Sequence, residues 1–114
     1  MKHSAITERP WGKFEQFTHN ELSTVKIIEI GAGKRLSLQS HQHREEWWTA
    51  LDDGVAVEID NVQKILKKGE QAFVPKESKH RLSSASKKVR VLEIAFGEFY
   101  EEDITRYQDD WGRM

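Results

Sequence analysis

The sequence has no cysteine, only two prolines and no long apolar run. The absence of cysteine excludes disulfide bonds, thiolate metal sites and thiol catalysis, and it is typical of a reducing compartment. No segment approaches the roughly 20 apolar residues of a membrane-spanning helix. The N-terminal residues also lack the apolar core of a signal peptide. We therefore expect a soluble, cytoplasmic protein that does not associate with a membrane.

A strong charge of either sign is also missing, since 18 basic residues are balanced by 19 acidic ones and the net charge is −1. This balance argues against a nucleic-acid-binding surface. A chain of 114 residues is long enough for one domain with its own core. We expect residues 1–114 to form that single domain.

Short β-branched and aromatic segments alternate with turn residues along most of the chain. They predict strands at residues 14–18, 23–30, 36–43, 47–51, 55–59, 62–66, 71–74, 80–84 and 89–96. Asp60 and Asn61 predict a two-residue hairpin loop, because both residue types tolerate positive φ. This spacing indicates an all-β sandwich or barrel. Residues 100–107 carry acidic side chains early and Arg106 late, which predicts a short C-terminal helix.

Two stretches hold candidate metal ligands. In an extended strand Gln39, His41 and His43 lie on one face, and Glu46 follows after a kink. A polar strand face usually points to solvent. These nitrogen and oxygen donors nevertheless suit a divalent metal, and a small barrel can line its interior with polar residues. His80, in the second stretch, adds another imidazole.

Both stretches resemble the two cupin motifs. The residues at the motif positions are Gly33, Gln39, His41 and Glu46 in the first, and Gly69, Pro75, Glu77, His80 and Ser84 in the second. Gln39 stands where the first motif has a histidine, and Glu77 and Ser84 stand where the second has glycine and asparagine. The resemblance implies an all-β, cupin-type antiparallel β-barrel, also called a double-stranded β-helix or jelly roll.

A narrower similarity covers nearly the whole chain. The sequence is similar to type II mannose-6-phosphate isomerase, which is often the C-terminal half of bifunctional GDP-mannose pyrophosphorylases. The matching residues are 9–12, 35–39, 43–44, 46, 80–82, 102–104, 106 and 112–113. Departures fall at Trp47, at Asp53 and at Glu77. The nucleotidyltransferase half has no counterpart in this sequence, so pyrophosphorylase activity is not implied.

This resemblance implies a metal-dependent aldose–ketose isomerase that interconverts mannose 6-phosphate and fructose 6-phosphate. The implied metal ligands are Gln39, His41, Glu46 and His80. Zinc is our first choice of metal, with manganese, cobalt, nickel or iron as alternatives. The implied catalytic residues are His43, Glu46 and Arg106, with His43 either a further ligand or an acid–base group. The candidates for binding the substrate phosphate are Arg35, Lys79, Arg81 and Arg106.

Other readings remain open at this point. A cupin of this kind can be a non-catalytic module that binds a metal or a sugar, or a dioxygenase or epimerase-like enzyme. Four tryptophans are many for a small barrel, so we expect some of them to cover an exposed apolar patch. We therefore expect a homodimer. The resemblance implies that its substrate is a small sugar phosphate.

Overall fold

Antiparallel strands make up all the regular structure in the computed structural model, which describes residues 4–113. The strands are β1 (Ala5–Arg9), β2 (Gly12–Gln16), β3 (Ser23–Ile30), β4 (Leu38–Ser40), β5 (Glu45–Ala50), β6 (Val55–Ile59), β7 (Val62–Leu66), β8 (Gln71–Val74), β9 (His80–Ser84), β10 (Val89–Phe96) and β11 (Thr105–Gln108). The all-β prediction is confirmed. Residues 4–113 contain no helix of the length and apolar character needed to cross a bilayer.

Two sheets enclose the core. One has the strand order β3-β10-β5-β8 and the other β11-β4-β9-β6-β7, while β1 and β2 form a separate hairpin. Alternate residues of each strand point between the sheets. The buried core residues are Ile30, Trp48, Ala50, Val55, Val57, Leu66, Val74, Leu82, Val89 and Val91. This apolar cluster fixes the register of the strands that carry the site.

Two turns contain residues other than glycine with positive φ. Asp60 and Asn61 join β6 to β7 with φ values of 48° and 68°, as the hairpin prediction requires. Glu77, in the position of a motif glycine, has a φ of 66°. Its backbone N–H donates to the carbonyl oxygen of His41 at 2.7 Å. This turn therefore fixes the chain at the point where β4 ends.

The predicted C-terminal helix is wrong. Thr105–Gln108 forms β11, which pairs with β4, and the hydroxyls of Tyr107 and Ser40 are 2.8 Å apart. A helix of eight residues is marginal by itself, so hydrogen bonding to the free edge of β4 is more favourable than the helix that the charge pattern indicated. No strand was predicted before residue 14, yet β1 and β2 pair through a turn at Pro10 and Trp11.

The predicted strand over residues 36–43 is also too long. Only Leu38–Ser40 is regular strand, and the chain leaves the sheet at His41. The two-residue alternation therefore stops before His43, which changes the composition of the site.

Candidate metal centre

Three side chains from the two motif stretches meet between the sheets. One ligand atom from each of His41, Glu46 and His80 lies within 4.8 Å of the others. Nε2 of His41 is 3.8 Å from Oε2 of Glu46, and Nε2 of His80 is 3.4 Å from Oε1 of Glu46. All three side chains are at most 3% exposed. The arrangement is a buried cluster of two imidazoles and one carboxylate.

Strand register and one loop bring these groups together. Glu46 is the second residue of β5 and pairs with Val74, so both side chains point between the sheets. His80 opens β9 and pairs with Gln39 of β4. His41 lies just beyond β4, where the Glu77 turn holds its carbonyl. The ligand-bearing segments thus lie on both sheets.

Backbone carbonyls orient both imidazole rings. Nδ1 of His41 donates to the carbonyl of Asp103 at 2.6 Å, and Nδ1 of His80 donates to the carbonyl of Ser78 at 3.0 Å. Each Nε2 therefore carries a lone pair and points toward Glu46. Nε2 of His80 is buried and has no hydrogen-bond partner among the described residues. This is the usual arrangement of a metal-binding histidine.

Burial also sets the protonation of the cluster. Desolvation lowers the pKa of His41 to about 4 and also lowers the pKa of His80. Both rings are therefore neutral at pH 7, as metal ligands must be. Desolvation raises the pKa of Glu46, while the neighbouring guanidinium of Arg44 opposes that rise.

Arg44 is a buried residue of the site that the sequence did not single out. Its Nε donates to Oε2 of Glu46 at 3.3 Å, and its Nη2 donates to Nε2 of His41 at 3.2 Å. Its Nη1 donates to the carbonyl of Tyr100 at 3.2 Å. The guanidinium also stacks 4.0 Å from the ring centroid of Phe99. Arg44 therefore binds two of the three candidate ligands.

A cavity of about 160 Å³ opens onto the cluster. The lining residues are Lys26, Ile28, Leu36, Gln39, His41, Arg44, Glu46, Glu93, Phe99, Glu101, Ile104 and Arg106. Arg106, Gln39 and His80 are successive partners across β11, β4 and β9. Directly opposed residues share a sheet face, which places Gln39 beside His80. Nε of Arg106 is buried and has no hydrogen-bond partner among the described residues.

Glu93 is a second carboxyl group of this cavity that the sequence analysis missed. It is 8% exposed and accepts a hydrogen bond from Nε1 of Trp48 at 3.2 Å. Burial and the nearby Glu46 raise its pKa to about 7. A usable signal was present in the sequence, because Glu93 has the inward parity of Val89 and Val91 in an apolar strand.

His43 does not share a face with His41, contrary to the strand prediction. The irregular segment after Ser40 leaves the His43 side chain exposed, and its backbone N–H donates to Oδ2 of Asp103 at 3.0 Å. His43 lines a larger, open cleft of about 460 Å³ together with Gln42, Tyr100, Glu102, Asp103, Ile104 and Thr105. Among the described residues, no three side chains of this cleft converge as candidate metal ligands, whereas two members of the cluster line the smaller cavity.

Three of the four expected phosphate ligands also lie elsewhere. Lys79 and Arg81 flank His80, so they point outward when His80 points inward. Lys79 lies 4.4 Å from the ring centroid of Tyr107, and Nη1 of Arg81 donates to Oε1 of Gln108 at 3.1 Å.

Arg35 is exposed and makes two hydrogen bonds to Asp110, at 2.6 and 2.9 Å. None of Arg35, Lys79 and Arg81 lines the cavity, whereas Arg106 does.

The cluster suits a divalent metal. Two neutral imidazoles and a carboxylate are donors that zinc and its first-row neighbours accept. The orphaned Nε2 of His80 has the orientation and burial of a ligand atom. Gln39 lines the same cavity and remains a predicted fourth ligand.

The fold and this site together define a cupin domain. A crystal structure of a cupin protein from Bacteroides fragilis matches with a TM-score of 0.60 and 24% identity, over 71% of this chain and 74% of that one. The family model described as mannose-6-phosphate isomerase C-terminal matches residues 1–109, so the chain belongs to that family.

Curated relatives carry this domain within longer chains. Mannose-1-phosphate guanylyltransferase ManC from Salmonella typhimurium is 33% identical over 108 residues, which cover 93% of this chain and 22% of that protein. The alginate biosynthesis protein AlgA from Pseudomonas aeruginosa is 34% identical over 107 residues, which cover 92% of this chain and 22% of that protein. The chain thus spans about a fifth of the length of these relatives.

Proposed function

We propose that this domain is a metal-dependent isomerase that interconverts mannose 6-phosphate and fructose 6-phosphate. The observation that carries the proposal is the buried cluster of His41, Glu46 and His80, because two of its members line a cavity that Arg106 also lines. The family description gives the reaction its name, and the cluster supplies groups suited to it.

In this proposal His41, Glu46 and His80 hold the metal, with Gln39 as a fourth ligand and zinc as the first choice. Manganese, cobalt, nickel and iron accept similar donors. A divalent ion bound there would act as a Lewis acid on the sugar carbonyl. The protein's part is to keep both imidazoles neutral, which their burial does, and to orient them, which the carbonyls of Asp103 and Ser78 do.

Isomerisation moves a proton between two adjacent carbons, so a base must collect it and return it. Glu93 is the candidate that we favour over His43, because it lines the cavity and its pKa is raised to about 7. A carboxyl group with a pKa near the working pH can both accept and donate a proton. Its hydrogen bond from Trp48 would keep it oriented toward the sugar.

The phosphate would bind at the mouth of the cavity. Arg106 lines the cavity and its Nε has no hydrogen-bond partner in the described part of the chain, while Lys26 lines the same cavity with a side chain that is 42% exposed. The cavity, at about 160 Å³, is smaller than the roughly 300–1,000 Å³ of typical ligand pockets. We therefore infer that the reacting end of the sugar enters the cavity while the phosphate stays near these two cations.

The departures from the family pattern do not touch this cavity. Trp47 packs on the outer face with Ile94 and Phe96, and the carboxylate of Asp53 accepts the backbone N–H of Lys68 at 2.8 Å. Glu77 adopts the positive φ of the glycine that it replaces. These positions give no reason to expect loss of activity.

A coupled assay for fructose 6-phosphate tests the proposal. Protein stripped with a chelator should be inactive, and adding zinc or manganese should restore turnover of mannose 6-phosphate. A folded, metal-loaded protein without turnover would contradict the isomerase and favour the binding module. Calorimetry with mannose 6-phosphate would then show whether the sugar binds without reacting.

A further inference from the structure

We propose that Arg44 and the divalent metal compete for the same ligand atoms, so that the guanidinium is the resident cation of the metal-free site. The inference rests on the metal site of the proposed function, but not on its isomerase activity. It concerns one residue whose contacts overlap those that a metal needs.

The overlap is sharpest at His41. Its Nδ1 proton is committed to the Asp103 carbonyl at 2.6 Å, so Nε2 is the single acceptor of the neutral ring. That one lone pair accepts the hydrogen bond from Nη2 of Arg44 at 3.2 Å. The same lone pair cannot serve a metal ion at the same time. Metal binding to His41 therefore requires that Arg44 give up this bond.

A second overlap lies at Glu46. Oε2 of this buried carboxylate accepts the Nε–H of Arg44 at 3.3 Å. A carboxylate buried in the protein needs a compensating cation, and in the metal-free chain Arg44 supplies it. A divalent ion would take over that role and would also repel the guanidinium at close range. Arg44 thus compensates the charge of Glu46 in protein without metal and opposes the binding of a metal ion.

The chain offers a control with the same charge in the same cavity. Arg106 lines the cavity, but its Nε forms no hydrogen bond to a described residue and it is not bonded to His41 or Glu46. Removal of Arg106 tests general repulsion alone. Removal of Arg44 tests repulsion together with competition for ligand atoms.

The experiment compares Arg44→Met, Arg44→Lys and Arg106→Met by calorimetric titration of chelator-treated protein with zinc, and by thermal unfolding with and without zinc. For Arg44→Met we expect metal affinity to rise at least about tenfold. We also expect a lower Tm without metal and a larger Tm gain on metal addition. Arg44→Lys should fall between, since an ammonium group cannot reproduce the guanidinium fork.

Three results would overturn the proposal. Metal affinity in Arg44→Met could fall, it could stay unchanged, or Arg106→Met could gain as much affinity as Arg44→Met. A fall in affinity would mean that Arg44 holds the ligands in place for the metal. An equal gain in Arg106→Met would mean that the guanidinium acts only through general charge repulsion.

A measurement on the unaltered protein keeps the proposal testable if Arg44→Met does not fold. The Nε–H of Arg44 should give a protected ¹⁵N–¹H resonance in metal-free protein, because it is buried and bonded to Glu46. Saturation with zinc should shift this resonance and shorten its exchange lifetime. An unchanged shift and lifetime in zinc-saturated protein would contradict displacement of Arg44.

Discussion

The space between the two sheets has one polar end and one apolar end, although the same strands line both. The inward residues run Glu46, Trp48 and Ala50 on β5, His80, Leu82 and Ser84 on β9, and Glu93, Val91 and Val89 on β10. Strand alternation determines which residues point inward, and the position of a residue along its strand determines whether it lies at the polar or the apolar end. Two of the three clustered ligands, Glu46 and His80, are thus built into the core without interrupting a strand.

The two ends differ in what they contribute. Burial of apolar side chains stabilises the fold by roughly 25 cal/mol per Å². Burial of two neutral histidines and two carboxyl groups opposes it, as their shifted pKa values indicate. We therefore expect changes at the polar end to alter function more than stability, and changes at the apolar end to do the reverse.

The largest effect should follow His80→Ala. Loss of one of three clustered ligands should reduce zinc affinity by at least about 100-fold, measured by calorimetry, with the β-sheet circular dichroism preserved. His43→Ala is the matched control, because His43 is exposed outside the cavity and should leave zinc affinity unchanged. Equal losses in the two variants would show that the structure misplaces the site.

At the apolar end, Leu66→Ala should lower the free energy of unfolding by about 2–5 kcal/mol. Leu66 is fully buried in the core cluster and does not line the cavity. Its neighbour Ile65 is 62% exposed, so Ile65→Ala should cost far less in urea unfolding. Zinc affinity of the folded Leu66→Ala protein should match that of the unaltered protein, and a large change would break the division between the two ends.

The pH dependence of stability should reveal Glu93. Its pKa is raised from 4.5 to about 7, so the folded chain holds a proton that the unfolded chain releases. Metal-free protein should therefore lose stability, relative to Glu93→Gln, as the pH rises from 4.5 to 7, by at most about 3 kcal/mol.

His41 contributes the opposite slope, because its lowered pKa makes the folded protein gain stability as the pH rises from about 4 to 6.5. The difference between the two proteins cancels this contribution. Parallel stability curves for the unaltered protein and Glu93→Gln would contradict the pKa assignment of Glu93.

A smaller effect is expected at the mouth of the cavity. Arg106→Ala should raise KM for mannose 6-phosphate by about tenfold, through loss of a charge-assisted hydrogen bond to the phosphate of roughly 1.5 kcal/mol. Arg35→Ala should not change KM, because Arg35 is exposed and paired with Asp110 away from the cavity. A change in KM in Arg35→Ala but not in Arg106→Ala would indicate that the phosphate binds at the outer surface near Arg35.

The smallest effect concerns assembly, where the homodimer stays a prediction. Trp47 and Trp48 are buried, whereas Trp11 and Trp111 are 73% and 53% exposed. Val25 and Ile27 also expose apolar surface on β3, an edge strand. Light scattering should give a dimer at micromolar concentration, and Trp11→Ser should weaken it. A strict monomer at high concentration would contradict the predicted homodimer.

Sequence reasoning succeeded where period and turn chemistry agreed. The bounds of β3, β6, β7, β8, β9 and β10 match the predicted strands, and Glu46 and His80 lie inward as the motif similarity implied. It failed at His43 because alternation was extended past Ser40, where pairing ends and a tertiary turn takes over. It failed at Arg44 because this residue also lies in the irregular segment after Ser40, where no local pattern indicates which side chain points inward.

The central claim is that His41, Glu46 and His80 bind a single divalent ion. Anomalous diffraction from a crystal soaked in zinc tests it most directly. The account predicts one strong peak in contact with Nε2 of both histidines and the carboxylate of Glu46. A crystal with zinc peaks only at surface histidines such as His43, and none among these three side chains, would contradict it.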